Sequence, residues 1–234
     1  MKMFKKLLFA GLAFATLSVS AQTADEIVAK NIKAMGGAAK LATLTSVKMT
    51  GTMSAQGQDF PVTFTTLHQK GVRIEFEVMG TSNYYLANAE KGFIFMPIAQ
   101  MQEPKEMEAE QYISFAKQMN LQGAFFNYKE RGIKIELVGA EKMDGVEVDK
   151  LKVTSKEGKS SSYFIDKKTS RLVKTIGTGK GPDGTEMELE STFSDYKQNE
   201  GGYWFAYTLT TPNGPILFDK IETNITVDES IFKP

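Results

Sequence analysis

One histidine, His68, and no cysteine are all that these 234 residues offer toward the commonest base, nucleophile and metal chemistries. Zinc sites take three or four protein ligands, so His68 cannot build one by itself. It shares strand parity with Phe60, Val62 and Phe64, which reads as a strand-end residue. No Gly-x-Ser-x-Gly elbow occurs, and a nucleophilic serine would have to take that one histidine as its base. Gly179, Gly181 and Gly184 do satisfy Gly-x-Gly-x-x-Gly, but dinucleotide binding needs a strand before the motif and a helix after it. Here Pro182-Asp183-Gly184 reads as a turn, followed by Thr185 to Phe193 at period two. Glu186 and Glu188 share a face with Glu190, the pattern of a solvated strand rather than an acid and base held at a set separation. Asn224-Ile225-Thr226 is a glycosylation sequon in form only. The expectation is a protein with no enzymatic activity, no cofactor and no metal.

The first residues predict export. Lys2, Lys5 and Lys6 precede an uncharged stretch from Leu7 to Val19, and Val19 and Ala21 are small enough for cleavage after Ala21. That apolar run falls short of the roughly 20 residues needed to span a bilayer, and no later run approaches it. A soluble periplasmic chain beginning at Gln22 is expected, with 22–234 as one domain. No cysteine follows the leader, so there is nothing to acylate. Basic and acidic residues number 28 each; losing the three leader lysines leaves 25 against 28, which argues against nucleic acid as a partner.

Thr23-Ala24-Asp25-Glu26 is a capping box, and Ile27, Val28, Ile32 and Met35 form the stripe of the helix it starts; Gly36-Gly37 ends it. From Ser46 the period becomes two. Phe60, Val62 and Phe64, then Ile74, Phe76 and Val78, alternate with polar residues between turns at Gly57, Lys70-Gly71, Gly80 and Glu90 to Gly92. Pro104 to Gly123 reverts to helical spacing, with Tyr112, Ile113, Ala116 and Met119 on one face, so a helix is expected over 105–122. Alternation resumes from Lys134 to Val227, most clearly where Met187, Leu189 and Phe193 oppose three glutamates. The pattern predicts a mainly β fold with a few helices, its 11 to 12 antiparallel strands too many for a flat sheet.

Ala34-Met35-Gly36-Gly37, Lys40-Leu41 and Ser46 to Gly51 resemble the opening of bacterial outer-membrane lipoprotein-sorting proteins, the lipoprotein-carrier superfamily. Tyr163 to Ser170, Ser194-Asp195-Tyr196 and the closing Asn224 to Phe232 resemble its middle hairpins and last strand. The resemblance implies an incomplete antiparallel barrel, a half-pipe, with an N-terminal helix and a central lid helix over an apolar concave face. It implies a monomeric carrier that holds acyl chains of lipoproteins or other envelope lipids, taking cargo from an inner-membrane transporter to an outer-membrane receptor. The alternative is an envelope-stress sensor or interaction domain on the same scaffold, without cargo.

On that scaffold the cavity lining is expected from Met49, Phe60, Val62, Phe64, Ile74, Phe76, Val78, Tyr84, Phe93, Phe95, Met187, Leu189 and Phe193. The lid is expected to carry Tyr112, Ile113, Ala116, Met119, Phe125 and Phe126. The best-known carriers hold the lid with an arginine just before a proline. Here the comparable stretch is Gln69-Lys70-Gly71-Val72-Arg73, without proline, so Lys70 or Arg73 is the expected latch.

Overall fold

The computed structural model describes residues 22–180 and 185–234. The expected leader and the Gly181 to Gly184 part of the glycine motif lie outside the described residues. The capping box is present: the Glu26 amide donates to the Thr23 hydroxyl, and the Thr23 amide donates to the Glu26 carboxylate. It starts α1 (Ala24–Ala34), and Gly36 and Gly37, at φ of 110° and 90°, turn the chain into the short α2 (Ala38–Ala42).

Six strands follow: β1 (Ser46–Ala55), β2 (Gln58–Leu67), β3 (Gly71–Val78), β4 (Thr81–Asn88), β5 (Gly92–Phe95) and β6 (Lys105–Glu106). After α3 (Ala109–Ala116) come β7 (Lys134–Met143), β8 (Val146–Thr154), β9 (Ser160–Asp166), β10 (Leu172–Lys180), β11 (Glu186–Gln198), β12 (Trp204–Thr211) and β13 (Gly214–Thr223). All pair antiparallel in one 13-stranded curved sheet that does not close into a barrel. Each strand lies beside its neighbour in sequence, except that β1 also pairs with β13, leaving β6 and β7 as the two edges. At the bulge between Thr50 and Gly51 a side chain at Gly51 would put Cβ 2.0 Å from the Leu217 carbonyl oxygen, so only glycine fits there.

The connection between the edges decides the architecture. Residues 107–133 must cross the sheet from β6 to β7, and they do so over its inner face. The expected helix over 105–122 is shorter than its pattern implied. Lys105 and Glu106 pair with Ile94 and Phe93 as a thirteenth strand, Met107 is buried against Gly92, and only then does α3 start. A 3-10 turn, Lys117–Met119, follows. Tyr112, Ala116 and Met119 pack on Val72 and Ala87, from the inner face of β3 and β4. Ile113 is 39% exposed, so the apolar stripe is narrower than expected.

Two further clusters occupy the inner face. Ile27 and Val28 of α1 bury with Phe125, Leu151, Val153 and Ile165 over the β8–β9 side. Leu44, Val47, Val62, Tyr203, Ile216, Phe218 and Ile221 bury where β1 meets β13. The convex face has its own cover. The C-terminal 3-10 turn Glu229–Phe232 seats Phe232, 2% exposed, on Gly71, where an added Cβ would lie 2.3 Å from the ring. A Gly71→Ala variant should therefore lose about 1–3 kcal/mol of stability from overpacking. In urea titrations the loss should shrink when Phe232→Ala is added, because the two positions share one contact. Equal losses in both backgrounds would rule out this seat.

Candidate functional site

Between the two inner clusters, where α1 and the crossing segment stand off from the sheet, lies a cavity of about 360 Å³. This is within the range of about 300–1,000 Å³ usual for small-molecule sites. Its sheet side is formed by Met49, Phe64 and Phe218 near the β1–β13 seam and by Phe193, Trp204, Phe205 and Leu209 of β11 and β12. Opposite stand Ile32 and Met35 of α1, Leu41 of α2, and Leu121, Ala124 and Phe125 of the crossing segment. Ile32 and Met35 follow from a stripe at helical spacing, and Met49, Phe64 and Phe193 from alternation along their strands.

The polar atoms at the wall are mostly committed to the protein itself. Asn31, a buried residue of α1, donates from Nδ2 to the Ser170 carbonyl at 2.8 Å. The Tyr196 hydroxyl donates to the Leu172 carbonyl at 2.7 Å. Burial pushes Tyr163 and Tyr196 above the ordinary tyrosine range, so both phenols stay neutral. Such a wall solvates hydrocarbon. Among the described residues no cluster of three or more His, Asp or Glu could hold a metal ion.

The crossing segment is held to the rest of the protein at two places and braced within itself by Arg131. The Leu121 amide donates to His68 Nδ1 at 3.3 Å, and the Gln69 amide donates to the Met119 carbonyl at 2.9 Å. Arg131 Nη1 donates to the carbonyls of Gly123 and Phe126 at 2.7 and 3.2 Å. Asp25 of α1 accepts from the Tyr128 hydroxyl and, at 2.6 Å, from Lys129. Hydrogen bonds from Lys129 and Tyr128 hold the Asp25 carboxyl below its ordinary range, though the pair is exposed.

His68 gives this hold a pH dependence. Burial depresses its pKa below the ordinary 6.5 and the Arg131 charge adds to this, while the Met119 carbonyl opposes both. The unfolded chain then takes the proton first. Stability from neutral His68 is full above about pH 6.5 and is lost as pH falls through the folded value. Protonation also removes the acceptor for Leu121. Thermal melts of wild type and His68→Gln should lie apart above about pH 6.5 and converge as the pH falls below it. Parallel curves would mean that the imidazole does not titrate against this segment.

No family model matches the chain, and no curated protein matches its sequence. Solved structures do match. A domain from Vibrio parahaemolyticus named for outer-membrane lipoprotein sorting aligns over 90% of this chain and 96% of its own, at a TM-score of 0.58 and 14% identity. A DUF1329 family protein from Desulfovibrio piger aligns over 90% and 95%, at 0.56 and 13%. A LolA superfamily protein from Nitrosomonas europaea aligns over 92% and 99%, at 0.54 and 12%. The chain has the lipoprotein-carrier fold.

Within the lipoprotein-carrier fold, the expected site residues fall into three groups. Met49, Phe64 and Phe193 line the cavity, with Phe125 across from them. Phe60, Val62, Ile74, Phe76 and Val78 have inner-face parity but lie outside this lining; Val62, Ile74 and Phe76 belong to the β1–β13 cluster or pack against it. Met187 and Leu189 also have inner-face parity, on β11 beyond Phe193, and are 40% and 39% exposed.

Tyr84, Phe93 and Phe95 belong on the convex face instead. Tyr84 pairs with Phe95 and Glu75, and Phe93 with Leu86, all at the parity opposite to Ile74 and Tyr85. β4 and β5 carry apolar residues on both faces, Tyr84, Leu86, Phe93 and Phe95 on one and Tyr85, Ala87 and Ile94 on the other, so alternation alone cannot say which aromatic side faces in. The latch expectation needs the same correction. Lys70 Nζ meets Glu229 at 2.5 Å, and Arg73 donates to the Ile231 carbonyl at 3.2 Å while its guanidinium lies 3.9 Å from the Tyr84 ring centre. Both hold the C-terminal turn on the outside of the half-pipe. His68 and the Asp25 pair were missed as groups that hold the inner cover, because each acts on a partner more than fifty positions away in sequence.

Proposed function

We propose that this chain is a periplasmic carrier that shelters acyl chains in its inner cavity, in the sorting of outer-membrane lipoproteins or related envelope lipids. The observation that carries the reading is the apolar hollow of about 360 Å³ between sheet and cover, walled by aliphatic and aromatic side chains. Burying a methylene stabilises a complex by about 0.8 kcal/mol, so ten methylenes contribute about 8 kcal/mol gross. That corresponds to roughly micromolar affinity before ordering costs are offset. A carrier must release what it holds, and partial burial of one chain suits that need better than enclosure of three. In this role the donor is an inner-membrane transporter and the acceptor an outer-membrane receptor, and the protein performs no reaction on its cargo.

Trp204 supplies the test. It is the chain's one tryptophan and it lines the cavity. Palmitate or a palmitoyl peptide titrated into delipidated protein should change its emission saturably, and protein purified from the periplasm should yield acyl chains on solvent extraction. An emission that does not respond, together with an empty extract, would favour the sensor or interaction domain without cargo.

A further inference from the structure

We propose that Arg171 is the headgroup site of this cavity, and that the preferred ligand is an amphiphile carrying an anionic head next to its hydrocarbon chain. The inference rests on the acyl-binding reading above and adds ligand class to it. Arg171 follows Ser170, whose carbonyl accepts from Asn31, and precedes Leu172, which lines the cavity. Its guanidinium carbon lies 3.8 Å from the Trp204 ring centre and 5.4 Å from that of Tyr196, and both rings line the cavity. The charge is thus stacked on two rings that themselves line the apolar space, one residue before a lining leucine.

Arg171 differs from the chain's other two arginines in what it lacks. Arg131 spends its donors on two backbone carbonyls, and Arg73 pairs with Glu75 at 2.8 Å. The Nε of Arg171 is buried with no hydrogen-bond partner among the described residues. Buried polar groups are nearly always satisfied, and guanidinium is built to meet a planar or tetrahedral oxyanion with two donors. Shielding of the indole accounts for the stack on Trp204. It does not account for a buried donor without an acceptor. A carboxylate or phosphate at the head of a chain seated between Trp204 and Phe125 would provide one. The neighbouring Tyr196 hydroxyl is already committed to the Leu172 carbonyl, which leaves the guanidinium as the cation for that head.

Calorimetry separates the possibilities, because replacing Arg171 also changes the surroundings of the indole. Wild type is titrated with palmitate, palmitoyl lysophosphatidate and the uncharged hexadecanol. Both anions should bind about tenfold or more tightly than the alcohol, and the preference should weaken with salt. The carboxylate and phosphate arms then show which oxyanion is preferred. Arg171→Gln should bring palmitate affinity to the level of the alcohol, while Arg171→Lys, which keeps the charge and loses the fork, should retain part of the preference. Equal wild-type binding of acid and alcohol would overturn the headgroup site and leave the acyl cavity standing. Binding of none of the three would overturn the cavity reading itself.

Discussion

Ala206→Phe should fold and yet bind acyl chains about a hundredfold more weakly than wild type. Ala206 is a half-buried residue of β12, paired with Tyr196 across the ladder, and its side chain is one of the few small ones on the cavity wall. A benzyl group there takes the space of roughly four methylenes of ligand, at about 0.8 kcal/mol each, which is about 3 kcal/mol of lost burial. The new ring enters existing free volume, so the cost to the fold should stay near the lower end of the 1–3 kcal/mol typical of overpacking. Trp204 remains the sole indole, so the same fluorescence titration reads both proteins. A variant that binds palmitate like wild type would place the ligand elsewhere.

Phe125→Ala addresses the cover rather than the ligand, and its expected effect is on stability: a loss of about 3–5 kcal/mol in urea titrations. The ring is 7% exposed and bridges two parts of the protein. One side packs with Ile27 and Val28 of α1 and with Leu151, Val153 and Ile165 of the sheet; it also meets the Tyr163 ring at 5.5 Å between centres. Ile113→Ala is the control. It removes an apolar side chain from the same crossing segment, but an exposed one, and should change stability by no more than about 0.5 kcal/mol. If the two variants were equally mild, the segment would not be packed into the core at residue 125.

Elements whose cause is local could be read from the chain alone. The Thr23–Glu26 box and the Gly36-Gly37 stop bound α1 to within two residues at either end, and both are present as expected. Hairpins of β2 and β3 likewise show period two in side-chain type, and their Phe64–Ile74 pairing has the predicted common face. The aromatic wall of β12 could not be read in this way. Asp195 has a φ of 54°, which interrupts the ladder between Ser194 and Tyr196, and the adjacent residues Trp204 and Phe205 both reach the cavity. A strict alternation rule would have discarded one of them. Arg171 was invisible for a different reason: its surroundings depend on two rings more than twenty positions away, and no spacing in the sequence brings those together.

The crossing segment leaves β6 on one edge of the sheet and joins β7 on the other, so both of its ends are built into the ladder. A strap fastened at two buckles can bow outward or slacken, but it cannot swing aside on a hinge. If the cavity holds an acyl chain as proposed, the chain enters and leaves without the strap swinging open, and loosening comes at its middle, where His68 grips Leu121.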